Sequence, residues 1–148
     1  MDCLNPIANV LTAATLAWQS CKATSELIDG LAETPAIINH SRDILSQTQN
    51  KTEVLEKTLG ANSNPEFTSR LNSILEQVHL EVALKSVQGI CDDFDREIKA
   101  LTTHSVGEKL SKRDRLAVFF RSSKLLGFNR RLGDCLGCLT LTLETITL

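Results

Sequence analysis

The chain has 148 residues and a net charge of −2 at pH 7, with five phenylalanines, one tryptophan and no tyrosine. That length suits one domain with one core, and the near-zero charge excludes a bulk attraction to nucleic acid or acidic lipid. The scarcity of aromatic residues leans away from sheet and towards helix.

The first element is an amphipathic helix from about Asn5 to Leu31, with Asn5 as N-cap and Pro6 just inside it. Leu4, Ile7, Leu11, Ala14, Trp18, Cys21 and Ile28 follow steps of three and four, with Ser25 between the last two, and form its expected buried stripe. Asn5, Asn9, Thr12, Gln19 and Glu26 occupy another face. From Cys3 to Cys21 there is no formal charge; Asp2 and Lys22 bound the run. Asp2 stands where a secretion signal carries positive charge, and the pattern continues past Lys22, which argues against a cleaved signal. The run is long enough to span a bilayer but too polar for an obligate span.

A second helix is expected from Thr34-Pro35 to Gly60, with Ile37, Ile38, Ile44, Leu45, Val54, Leu55 and Leu59 as its stripe, thinner around Gln47-Thr48-Gln49. Residues 60–65 read as a loop. A third helical stretch runs from Pro65 to about Thr102. Phe67, Leu71, Ile74 and Val78 open its stripe, and Leu84, Val87, Cys91, Phe94, Ile98 and Leu101 continue it. The stripe changes phase between Val78 and Leu84, which predicts a kink there. After a turn at 103–107, Ser111 is the expected N-cap of a last helix, with Leu116, Phe119, Phe120, Leu125, Phe128, Leu132, Cys135, Leu139, Leu143 and Ile146 in its stripe. Thr140–Leu148 reads as packed helix or an edge. The whole is an all-α, antiparallel bundle of about four long helices in a single domain, 1–148.

Enzyme signals are poor, and neither catalysis, a cofactor nor a metal is expected. Asp92, Asp93, Asp95 and Glu97 are interleaved with Arg96 and Lys99, the pattern of a solvated, salt-bridged face. His104-Ser105 lacks a third, orienting group. Five cysteines without regular spacing (Cys3, Cys21, Cys91, Cys135, Cys138) point to a reducing compartment with buried or free thiols. Cys135-x-x-Cys138 lacks both the second ligand pair of a zinc site and a thioredoxin-like context.

Charge is uneven: residues 1–104 carry a net −6 and residues 105–148 a net +4. The basic cluster is Lys109, Lys112, Arg113, Arg115, Arg121, Lys124, Arg130 and Arg131. Its plain reading is an exposed face that balances the acidic body. Its functional reading is contact with anionic lipid, at about 1 kcal/mol per Lys or Arg near the surface. Nucleic acid is not an expected partner, because no aromatic stacking platform accompanies the charge. The first helix likewise has two readings: one wall of the core, or a helix able to leave the bundle for a bilayer. Its uncharged run lowers the cost of the second, since a charge at the bilayer centre costs about 2.5–3.5 kcal/mol. Ala13, Ala14 and Ala17 would permit close helix approach, and Trp18 suits an interface.

The opening run with Leu27-Ile28-Asp29 and Thr34-Pro35-Ala36, the segment from His104 to Arg115, and the closing run from Leu139 to Leu148 together resemble fungal HeLo-like domains over essentially the whole chain. That resemblance implies a helical bundle at the N-terminus of larger proteins, many of them NOD-like (STAND) receptors and others ending in an amyloid-forming signalling motif. The chain then corresponds to an excised domain or a short member. It implies regulated cell death executed at the plasma membrane: cytoplasmic at rest, activated by self-oligomerisation, and permeabilising anionic membrane through the first helix. Carried onto this chain, the membrane-active residues are Leu4, Ile7, Val10, Leu11, Leu16 and Trp18. The alternative is a protein–protein interaction module that regulates an attached receptor and never touches lipid.

Overall fold

The computed structural model describes residues 6–30, 38–60, 65–77, 80–103, 118–120 and 123–147. The described residues form five helices: α1 (Pro6–Asp29), α2 (Ile38–Gly60), α3 (Pro65–Gln77), α4 (Leu80–Thr103) and α5 (Ser123–Thr147), with a further helical turn at 118–120. Pro6 and Pro65 each occupy a first helical position, where the missing N–H has no intrahelical acceptor to lose. Gly60 closes α2 as expected, and 140–147 is helix rather than an edge. The third stretch is not one helix but two, α3 and α4, and its stripe changes phase across that division. The Asn5 and Ser111 caps and Leu31 lie outside the described residues, as do Thr34-Pro35, Ile37 and Leu116.

Helix α1 packs against α2 and α4, and α5 packs against the same two, so the cyclic order of the bundle is α1, α2, α5, α4. Helix α3 lies against α1. Asp29 at the end of α1 pairs with Arg42 near the start of α2 at 3.3 Å, the geometry of an antiparallel hairpin. Phe94 meets Phe128 and Glu97 meets Lys124, so α4 and α5 also run antiparallel. Helices α1 and α4 run the same way. Thr24 bonds to Asp95 at 2.7 Å, and one turn earlier on both helices Cys91 lies beside Cys21.

Each long helix has a heptad-spaced buried row. In α1 it is Val10, Ala14, Ala17, Cys21, Thr24 and Ile28; in α4 it is Leu80, Leu84, Val87, Cys91, Phe94 and Ile98. The two rows share one sequence of steps, which lets α1 and α4 lie in register. Helix α2 buries Ile38, Ser41, Leu45, Thr48, Thr52, Leu55 and Leu59. Helix α5 buries Leu125, Phe128, Leu132, Leu139, Thr142 and Ile146, with Cys135 half-buried in the same row.

The stripes of α2, α4 and α5 are close to expectation, apart from Val54, which is exposed, and Leu101, which is half-buried. The stripe of α1 needs correction. Ala14, Cys21 and Ile28 are buried as expected, but Leu11, Trp18 and Ser25 lie to one side, half-buried, while Val10, Ala17 and Thr24 take their places. The physical reason is size. A seam of alanines lets α1 sit close to both neighbours, and bulky side chains then fit only along its flanks.

Candidate functional site

Helix α1 is built in an unusual sense. Its inner row is small (Val10, Ala13, Ala14, Ala17, Cys21), whereas several of its large apolar side chains are peripheral. Ile7 and Leu11 pack partly against the core, Trp18 is half-buried, and Leu16 is 40% exposed. A buried CH₂ stabilises by about 0.8 kcal/mol, so an alanine seam holds a helix with roughly 2 kcal/mol less per position than a leucine seam. Of the residues expected to be membrane-active, Val10 is in the core, Ile7, Leu11 and Trp18 line one flank, and Leu16 is exposed on the polar side between Asn9 and Thr12; Leu4 lies outside the described residues.

The polar groups of the same segment are partly satisfied within the helix. Thr12 Oγ1 donates to the Ala8 carbonyl and Thr15 Oγ1 to the Leu11 carbonyl, both at 3.1 Å. Hydroxyls closed onto their own backbone travel with the helix into any environment and lower its cost of leaving water. Lys22 ends the uncharged run, with its Nζ 5.4 Å from the Trp18 ring centroid. Among the described residues, no helix is long and apolar enough to cross a membrane.

Polar contacts join α1 to both neighbours. Asp29 pairs with Arg42 on α2, and Thr24 Oγ1 donates to Asp95 Oδ1 on α4. The opposite side of the bundle is tied likewise: Ser41 Oγ donates to Asn129 Oδ1 at 2.6 Å in a buried α2–α5 contact, and Lys124 Nζ lies 3.1 Å from Glu97 Oε2 between α5 and α4.

The acidic cluster on α4 divides accordingly. Asp93 pairs with Arg96 at 2.9 Å and Glu97 with Lys124, the salt-bridged face expected. Asp95 is different, turned inwards to Thr24. Burial pushes its carboxyl above the usual range, and Asp92 adds to this, while the Thr24 hydroxyl and Lys99 pull it back. Sequence spacing held one signal for this: Asp95 falls one position after Phe94 in the buried row.

The raised pKa gives a pH dependence of definite sign. The folded state favours the protonated carboxyl more than the unfolded state does. This contribution to stability is therefore fully present below the ordinary value of 3.8 and is lost as pH rises through the raised folded value. Glu56, raised by burial and by Glu53, acts in the same direction. Asp95→Asn retains an acceptor for Thr24 and removes the charge. The variant is expected to melt higher than the parent at pH 7 and to show a weaker loss of stability with rising pH, as measured by thermal denaturation across the acid range.

Of the basic cluster, Lys124 is held by Glu97, and Arg130 and Arg131 are exposed on α5. Lys109, Lys112, Arg113, Arg115 and Arg121 lie outside the described residues. Arg131 and Lys124 also border a groove of about 660 Å³ between α4 and α5, floored by Ile90, Phe94, Phe119 and Phe128 and edged by Asp93, Arg96 and Glu97. Edge groups of both signs that pair with one another give the groove no clear preference for a charged ligand. His104-Ser105 falls outside the described residues.

Cys21, Cys91, Cys135 and Cys138 are free thiols. Cys21 on α1 and Cys91 on α4 lie beside each other, and Cys135 on α5 is near enough to both to act on them through charge. A hydrogen bond with Cys91, then burial, push the Cys21 thiol far up; burial, with Cys138 and Asp134, pushes Cys135 up. Among the described residues, no group of three or more His, Cys, Asp or Glu side chains is placed to hold a metal ion.

A family model described as pigment biosynthesis cluster protein PigL N-terminal matches residues 1–148, and the chain belongs to that family. No curated protein and no solved structure matches it significantly.

Proposed function

We propose that this PigL N-terminal domain is a membrane-targeting helical bundle that acts by releasing α1 on self-oligomerisation, permeabilising an anionic membrane without catalysing a reaction. One observation carries the reading: the uncharged segment of α1 is held in the core by small residues while Ile7, Leu11 and Trp18 lie together on one flank. The resemblance of the opening segment to HeLo-like domains supports the same direction. Because no described helix suffices as a single span, α1 acts as an interfacial helix or as one stave of an assembly. In either arrangement its apolar flank meets lipid and its polar face meets water or neighbouring copies.

The resting place of such a domain is the cytoplasm and its active place the plasma membrane, with anionic lipids and further copies of itself as partners. Arg130 and Arg131, with the basic residues between Lys109 and Arg121, supply the attraction. Dye release from anionic liposomes, comparing the chain with a version lacking residues 1–21, tests the reading. Leakage from the chain alone is the expected outcome. Equal leakage from both, or none from either when the chain is clustered through a fused oligomerisation tag, would refute it. A second measurement addresses the basic face. Reversing both Arg130 and Arg131 to glutamate is expected to weaken binding to anionic vesicles by at least roughly tenfold, at about 1 kcal/mol per charge, with little effect on neutral vesicles.

A second reading has an observation of its own. The polar ties on every side of the bundle (Asp29–Arg42, Thr24–Asp95, Ser41–Asn129, Glu97–Lys124) suit a domain that keeps its shape while in use. The family is described as an N-terminal one, and in a longer protein a lasting bundle would serve as a docking module for an attached or partner protein, such as a STAND receptor or an amyloid-signalling protein.

A further inference from the structure

The in-register packing of α1 and α4 sets two thiols opposite each other at the middle of the seam that α1 must break to leave. Cys21 and Cys91 are both fully buried and hold the same place in the two heptad rows. The Thr24–Asp95 bond at 2.7 Å fixes the register one turn away. The residue one step back from Cys21 in the buried row of α1 is small, Ala17.

We propose that Cys21 and Cys91 form a reversible disulfide that ties α1 to α4, with a hydroperoxide as oxidant, and that this tie controls the release of α1. The inference rests on the membrane reading only for what the tie controls, not for its formation. One thiol, as thiolate, attacks a peroxide oxygen. The O–O bond breaks, a sulfenic acid forms, and the departing oxygen takes a proton to leave as water. The second sulfur attacks the sulfenic sulfur, the S–S bond forms, and the hydroxyl leaves with the remaining proton as a second water. Two thiols lose two electrons and the peroxide gains them. A dithiol such as dithiothreitol reverses the change. Burial and the neighbouring thiols hold Cys21 in its protonated, unreactive form, so oxidation is slow in the closed bundle and proceeds when the seam opens locally.

Cys135 makes the choice of pair informative. It belongs to the buried row of α5, near enough to Cys91 to act on it through charge, and a Cys91–Cys135 bond would tie α4 to α5 and leave α1 free.

The test treats the chain with hydrogen peroxide, blocks remaining thiols, and maps peptides without reduction. The expected result is a Cys21–Cys91 crosslink, a denaturation midpoint that rises and returns with dithiothreitol, and liposome leakage slowed at least about thirtyfold, the lower range for a disulfide closing a long loop. Cys91→Ala, with Cys91→Ser as a second variant should the first fold poorly, abolishes all three effects; Cys135→Ala leaves them. A Cys91–Cys135 crosslink, no crosslink in a bundle that remains folded, or a Cys21–Cys91 crosslink that does not slow the leakage of a chain that leaks when reduced would overturn the proposal. A crosslink that raises the midpoint in a chain that leaks in neither state upholds the tie and refutes the membrane reading instead.

Discussion

Phe94→Ala is expected to lower the free energy of unfolding by about 3–5 kcal/mol, the range for truncating a buried phenylalanine. Phe94 is 3% exposed, and its ring lies 4.4 Å from Phe128 and 5.8 Å from Phe119, centroid to centroid. It therefore joins α4 to α5 and to the turn at 118–120, and two rings, Phe119 and Phe128, lose a partner when it goes. The Phe94–Phe119 pair is edge-on, at 67°, an arrangement favoured by the ring quadrupoles and worth about 0.5–1.5 kcal/mol beyond the area it buries. The void left at such a junction collapses poorly, because the helices around it are pinned by Ser41–Asn129 and Lys124–Glu97. Val82→Ala, on the same helix but 62% exposed, is expected to change stability by no more than about 0.5 kcal/mol. Urea denaturation of both variants measures the contrast. A small loss for Phe94→Ala would mean that the α4–α5 seam is not a core.

The contrast between α4 and α1 shows what the sequence discloses. In α4 the row Leu84, Val87, Cys91, Phe94, Ile98 is readable because every member is apolar and most are large, so periodicity and burial coincide. In α1 they diverge. Leu11 and Trp18 are bulky and apolar, and a stripe of three-four steps runs through them, yet the inside is taken by Val10, Ala17 and Thr24. A helix pressed between two others is selected for small volume on its inner line, and volume is invisible to a reading that ranks residues by apolarity. Thr48 and Thr52 in α2 are a related case. They thin the expected stripe but are fully buried, because each hydroxyl is turned onto a backbone carbonyl, Ile44 and Gln49. The pairing of helices was not readable at all. Nothing local in the chain places Cys21 against Cys91, or Thr24 against Asp95; those contacts follow from the register that two identical step patterns permit once α1 and α4 lie side by side.

That separation of inner seam from outer surface allows stability and membrane activity to be moved in opposite directions. Leu16→Lys changes a side chain already 40% exposed, so the bundle is expected to keep its stability to within about 0.5 kcal/mol. The same change puts a charge into the uncharged run, at about 2.5–3.5 kcal/mol in a bilayer, and is expected to cut liposome leakage by about a hundredfold. Ile28→Ala does the converse. Ile28 is fully buried at the far end of α1, beyond the uncharged run. Its truncation is expected to cost the bundle about 2–5 kcal/mol while leaving the membrane-active segment intact. If the bundle restrains α1, weakening that anchor raises leakage, by roughly tenfold for each 1.4 kcal/mol by which the released form gains on the docked one. Denaturation midpoints and leakage rates on the same preparations give the two coordinates, with circular dichroism confirming that Ile28→Ala remains helical. A lasting interaction module gives a different pattern. Leu16→Lys leaves both quantities unchanged, and Ile28→Ala lowers stability with no gain in leakage. The direction in which Ile28→Ala moves leakage therefore decides whether the core of this bundle is a brake on α1 or simply its permanent place.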